Sequence, residues 1–164
     1  MMNRICHFLI ATQKKITYDY WHGQWKLGRD GNAAMFPFGF GCSYTQFSVS
    51  SPTIELSDSI KFRCEVSNTG SRDGATVVQV YAGRNDSLIE RPKRRLVAFK
   101  RVKLCAGETK HVECTAPMQS LATRDTKTHS WFVEQGFWNF EIAQFSGDPK
   151  ALPLELLIRE RIDS

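Results

Sequence analysis

From residue 59 onward apolar and polar residues alternate along much of the chain, the mark of strands with one face in water. In SIKFRCEVSNTG, Ser59 to Gly70, residues Ile60, Phe62, Cys64 and Val66 share one parity. Lys61, Arg63 and Glu65 share the other, and Asn68-Thr69-Gly70 closes the strand with a turn. GATVVQVYAG, Gly74 to Gly83, is β-branched and aromatic and alternates less, which predicts a strand covered on both faces. In Arg95 to Leu104 the apolar residues Leu96, Phe99, Val102 and Leu104 do not keep one parity, so a bulge is expected. After the turn Ala106-Gly107-Glu108, the run Thr109 to Ala116 resumes alternation at Val112 and Cys114. Ser130 to Glu134 reads as a short strand before a turn at Gln135-Gly136. Phe137 to Ser146 alternates cleanly, with Trp138, Phe140 and Ile142 on one face. After Gly147-Asp148-Pro149 comes a last run, LPLELLIRE.

These are seven strands with turn signals between them and no helical period after residue 50. They predict an all-β fold, an antiparallel β-sandwich whose core joins the Ile60/Phe62/Cys64/Val66 face to the Trp138/Phe140/Ile142 face. Trp131 is compatible with either core or surface. The first 35 residues are aromatic and Gly-rich without a period and read as an irregular N-terminal extension. Between the two lies FPFGFGCSYTQF, Phe36 to Phe47, where irregular chain becomes sandwich. Pro37 stiffens this path, and Gly39 and Gly41 allow unusual backbone or close approach. Phe36, Phe38 and Phe40 read as apolar anchors, some of them expected to stand exposed.

Composition adds little beyond a globular class: 41% hydrophobic and 24% charged residues in 164. The net charge of +5 is concentrated, with Arg91, Lys93, Arg94, Arg95, Lys100, Arg101 and Lys103 in one stretch. Such a cluster can hold phosphate. The interleaved Leu96, Val97, Phe99 and Val102 favour a half-buried strand whose charges are solvated or meet another domain. No nucleic-acid or membrane partner is expected, no segment being long enough to span a bilayer. The five cysteines, Cys6, Cys42, Cys64, Cys105 and Cys114, contain no CxxC, and the four histidines have no ligand spacing. No metal or cofactor is expected. Cys64 and Cys114 read as small buried hydrophobes, a disulfide between them being left open. The start, MMNRICHFLIATQKK, reads as a ragged terminus rather than a targeting signal. Compartment is not specified by it.

Chemistry is sparse. Glycosidases need two carboxylates flanking a sugar bond. Here acidic residues sit in turns (Asp30, Asp58, Asp73, Asp125, Asp148) or on wet strand faces (Glu65, Glu113, Glu141). GxSxG, P-loop and HExxH patterns are lacking. Asn85-Asp86-Ser87 fits a glycosylation sequon, a tripeptide common by chance. No catalytic residue is proposed from the residues.

The stretch FPFGFGCSYTQF resembles a motif of glycoside hydrolase family 3, with Cys42 where that family usually has Leu. Three further stretches resemble the family in the same order: EVSNTGSRDGATVVQVY, RPKRRLVAFKRVKLCAGET and WFVEQGFWNFEIAQFSGD. Before them, Thr17 to Met35 resembles the segment that closes the family's catalytic α/β domain, although Gln24 and Trp25 depart from its pattern. The resemblance spans residues 17 to 148, some four fifths of the chain. It implies a seven-stranded immunoglobulin/fibronectin III-like β-sandwich at residues 48–160. Residues 36–47 would be an interdomain motif, and residues 1–35 a linker or remnant of the catalytic α/β domain. The family's nucleophile and acid/base lie on segments that match nothing here. The implied role is an accessory, non-catalytic module that packs on catalytic domains carried by the same chain or by a neighbouring gene product. Trp21, Phe36, Pro37, Phe38, Phe40, Arg91 and Pro92 would make the interdomain contact. A free-standing glycan-binding or basic-patch module is the alternative, and direct glycan contact is left open.

Overall fold

The computed structural model describes residues 19–87 and 89–163. Among these lie one short helix, α1 (Gly23–Arg29), a 3-10 helix (Met118–Leu121) and ten strands. The strands are β1 (Phe47–Leu56), β2 (Ile60–Asn68), β3 (Gly74–Gly83), β4 (Arg95–Leu104) and β5 (Thr109–Ala116). Then come β6 (Thr123–Arg124), β7 (Trp131–Val133), β8 (Gly136–Ala143), β9 (Leu152–Ile158) and β10 (Ile162–Asp163). A sheet of order β1-β2-β5 faces one of order β4-β3-β8-β9, and all their pairings are antiparallel. β1 meets β9 along one edge and β4 meets β5 along the other, closing the sandwich. The reading of residues 1–16 and of Cys6 and His7 falls outside the described residues.

The core is built as parity predicts. Ile60, Phe62, Cys64 and Val66 of β2 are buried, as are Trp138, Phe140 and Ile142 of β8. The Phe62 and Phe140 rings meet across the interface at 5.1 Å between centroids. Val78, Val80, Val112, Cys114 and Leu104 complete this layer. The predicted bulge is present: Val80 faces Ala98 but Tyr81 faces Leu96, so Val97 has no partner on β3. Cys64 and Cys114 are buried free thiols. They lie diagonally, Cys64 opposite Val112 and Cys114 opposite Phe62. Burial pushes the Cys64 thiol up to about 11.

The membership of the sandwich differs from the sequence expectation in one strand. Trp131–Val133 pairs with β6 and β10 in a small third sheet and does not join either main layer. Its place is taken by β1, whose sequence FSVSSPTIEL hides its parity behind a break. The break is a register shift between Ser50 and Thr53, where Ser51 has φ of 53° and Pro52 follows. Proline is tolerated because β1 is an edge strand and the residue sits in the irregularity. The second difference is α1, a helix within a segment that shows no period because none of its residues is buried.

The two outer faces of the sandwich contrast. On the β1-β2-β5 side, Arg63 bridges Glu55 at 2.8 Å and Glu113 at 2.7 Å. Ser51 bonds Glu65 and Ser67 bonds Thr109 on the same side. That face is made for water. The outer face of the four-stranded sheet carries the lead-in chain instead.

Candidate interdomain surface

The site is assembled from the lead-in, β3 and the loop before β4. Gln79 and Tyr81 point outward from the central strand β3, and both are buried because Phe36–Phe40 crosses over them. Gln79 Nε2 donates to the Gly39 carbonyl at 3.2 Å and also to the Gln144 carbonyl. Tyr81 Oη donates to Gln79 Oε1, within reach also of the Phe38 carbonyl at 3.2 Å. Ser146 N–H donates to that Phe38 carbonyl at 2.9 Å. From the far side, Gln24 of α1 donates to the Phe36 carbonyl at 3.1 Å and accepts from Phe38 N–H. The crossing needs glycine at position 39, where φ is +79° and a Cβ would stand 2.1 Å from Gln79 Oε1. Gly41 has no positive φ and a Cβ there would meet nothing within 4 Å, so only one of the two glycines is required by geometry.

With their backbone clamped, the Phe side chains turn away from the sheet. Phe36, Phe38 and Phe40 are 65%, 52% and 42% exposed. Phe40 packs edge-on against Phe145 at 5.3 Å and tilts against Phe36 at 5.9 Å. Phe99 of β4 stands directly across from Gln79 on the same outer face and is 67% exposed. Sequence parity placed Phe99 on a half-buried strand; next to buried Ala98, it falls on the outward side of β4, where the Phe36–Phe40 strap covers Gln79 but leaves Phe99 open.

Behind this surface the loop before β4 is fastened to the start of β8. Arg91 pairs with Glu134, both side chains only 12% exposed, and Arg91 Nε donates to Ser87 Oγ at 3.0 Å. Ser87 Oγ donates in turn to Glu134 Oε2 at 2.7 Å. The Arg91 guanidinium lies 4.9 Å from the Trp138 ring centroid, and Trp138 Nε1 donates to the Glu134 carbonyl at 3.0 Å. Burial holds the Arg91 guanidinium below its usual range, against the pull of Glu134. Other members of the basic stretch are also committed to protein oxygens. Arg94 binds Glu141 at 2.7 and 3.2 Å, Arg95 reaches the Ala122 carbonyl and Lys100 the Glu113 carbonyl. These contacts leave fewer cations for phosphate and agree with the half-buried strand reading.

A cleft of about 840 Å³ opens between α1 and this loop, lined among others by Trp21, Trp25, Phe38, Arg91 and Pro92. Trp21 and Pro92 are themselves buried, and the Arg29 guanidinium covers the Trp21 ring at 5.2 Å. Of the residues expected at an interdomain contact, Trp21, Phe38, Arg91 and Pro92 meet around the cleft. Phe36, half-buried Pro37 and Phe40 lie along the strap beside it. Trp25, against Tyr20 at 5.7 Å, and Trp131 are the exposed tryptophans, on separate elements. Among the described residues no three His, Cys, Asp or Glu side chains converge on a common point. No described helix is long and apolar enough to cross a membrane.

Residues 76–146 match the model of the fibronectin type III-like domain. The chain carries a fibronectin type III-like domain. It is similar to the β-glucosidase BoGH3A of Bacteroides ovatus, 35% identical over 70% of this chain and 16% of that protein. A periplasmic β-glucosidase of Salmonella typhimurium is 34% identical over 78% of this chain and 17% of its own length. In three dimensions it superposes on a β-glucosidase from Kluyveromyces marxianus with a TM-score of 0.82 and 28% identity, over 88% of this chain and 18% of that one. The chain therefore corresponds to a module of family 3 β-glucosidases and spans about a sixth of the curated relatives it matches.

The fibronectin-like domain's outward clamp has a pH signature. Burial, with the nearby Glu141 charge as a smaller cause, pushes the Tyr81 phenol up to about 12 from 10.0. The folded state favours the neutral phenol, so this contribution is intact below pH 10 and is lost as pH rises towards 12. The thermal midpoint is expected to fall over that window, and less steeply in Tyr81→Phe. Parallel curves for the two proteins would show that Tyr81 is not the group responsible.

Proposed function

We propose that this module steadies the catalytic domains of a family 3 glycoside hydrolase, and that its parent hydrolyses β-glycosidic bonds. The parent's catalytic domains belong to the same polypeptide in this reading, as relatives several times longer than the matched segment suggest. The observation that carries the reading is the strap. Three largely exposed phenylalanines sit on a strap whose Phe38 and Gly39 carbonyls are bonded to β3, an interior strand of the sheet. A fixed apolar surface rimmed by polar groups fits a packing interface. Phe99 extends it, while the charged β1-β2-β5 face is left to solvent. Trp21, Arg91 and Pro92 line the cleft that Phe38 borders.

A chimera tests this directly. This chain replaces the aligned segment of the Bacteroides ovatus β-glucosidase, and hydrolysis of an aryl β-glucoside and the thermal midpoint are followed. Changing Phe36, Phe38 and Phe40 together to Ser should lower the chimera's midpoint by several degrees. The isolated module, whose own core these rings do not enter, should shift much less. Equal shifts in both would place the rings in the module's own stability and remove the interface. Turnover of the glucoside by the purified chain alone would overturn the accessory role.

A further inference from the structure

A second, small chamber of about 30 Å³ lies where three segments meet: the lead-in at Tyr20, the loop at Arg91 and Pro92, and the 3-10 helix at Ser120. The hydroxyl of Ser120 is buried and makes no hydrogen bond with any described group. Buried polar atoms of this kind cost stability unless they are satisfied. The other polar neighbours are mostly donors. Arg91 uses Nε on Ser87 and Nη2 on Glu134, and Arg95 uses Nη1 on the Ala122 carbonyl, so each guanidinium has N–H groups left to give. Thr123 borders the same space. Guanidinium groups cannot accept, so they cannot satisfy a hydroxyl proton.

We propose that the chamber binds a single structural water that bridges Ser120 Oγ to the Arg91–Arg95 loop. Its volume of about 30 Å³ exceeds the roughly 10–15 Å³ that a water needs. Water both donates and accepts, so it can accept a hydrogen bond from the Ser120 hydroxyl or donate one to its oxygen while accepting from a guanidinium. The effect is to stitch the 3-10 helix to the loop that carries Arg91, independently of whether the module docks on anything.

The test compares the whole chain with Ser120→Ala. Water magnetic relaxation dispersion counts long-lived internal waters, and urea titration gives the unfolding constant. The water site predicts one fewer long-lived water in the variant and an unfolding constant raised between about twofold and tenfold. An unchanged count, with stability equal to or above wild type, would mean a dry orphaned hydroxyl and overturn the proposal. Should the variant not fold, a crystal structure of the wild-type chain decides. A solvent peak within hydrogen-bond distance of Ser120 Oγ supports the site, and a featureless chamber refutes it.

Discussion

Glu134→Ala is expected to destabilise the module by about 3–5 kcal/mol, the cost of stranding one member of a buried ion pair. The Arg91 guanidinium would keep its burial, its place on the Trp138 ring and its bond to Ser87, and lose the Glu134 carboxylate. The Ser87 hydroxyl would lose Glu134 in the same step and keep the Ile89 carbonyl, at 2.9 Å, as its acceptor. Equilibrium urea unfolding would show the midpoint moving with little change in slope. Glu141→Ala is the control, because its pair with Arg94 is much more exposed, at 29% and 40%. Exposed pairs contribute little. If both variants shift the midpoint equally, the Arg91–Glu134 pair is not buried in solution.

Asn68→Ala is expected to cost about 2–4 kcal/mol, since it removes a hub of hydrogen bonds and leaves buried groups unpaired. The Asn68 side chain is 1% exposed. Its Nδ2 donates to the carbonyls of Arg72 at 2.8 Å and Leu104 at 3.4 Å. Its Oδ1 accepts from Thr45 Oγ1 at 2.7 Å and from Gly70 N–H at 3.1 Å. One amide thus ties the end of β2 to the lead-in, the following turn and the end of β4. Gly70 fits this hub because a Cβ there would stand 2.2 Å from Thr45 Oγ1. Hydrogen exchange should report faster opening of the 68–74 turn before global unfolding in this variant. A loss confined to global stability, with the turn still protected, would argue that neighbouring groups re-form the hub.

Much of this architecture could be read from the chain. Strict alternation in β2 and β8 marks the core faces because each strand has one wet side, and period-2 patterns survive in sequence. The bulge in β4 showed as a lost parity around Phe99. What stayed hidden had no such signature. β1 carries its apolar residues, Phe47, Val49 and Ile54, across an irregularity at Ser51-Pro52, so its two halves are out of phase. α1 buries nothing and so has no amphipathic period. β7 has the composition of a core strand, yet three residues are too few to enter a main layer. At the candidate surface the aromatic strap was legible, because Phe, Pro and Gly in close order have few other uses. Its fastening was not. Gln79 and Tyr81 look like ordinary β-strand residues until the chain folds over them, since their partners are carbonyls 40 and 43 positions away.

That fastening has a mechanical consequence. Load arriving through the lead-in reaches β3, which lies between β4 and β8, before it reaches edge strand β1. Peeling the module from its N-terminal side would first require breaking bonds to an interior strand, rather than unzipping a free edge. It should behave as a bracket bolted through its middle, moving with whatever the strap is attached to and not swinging from it.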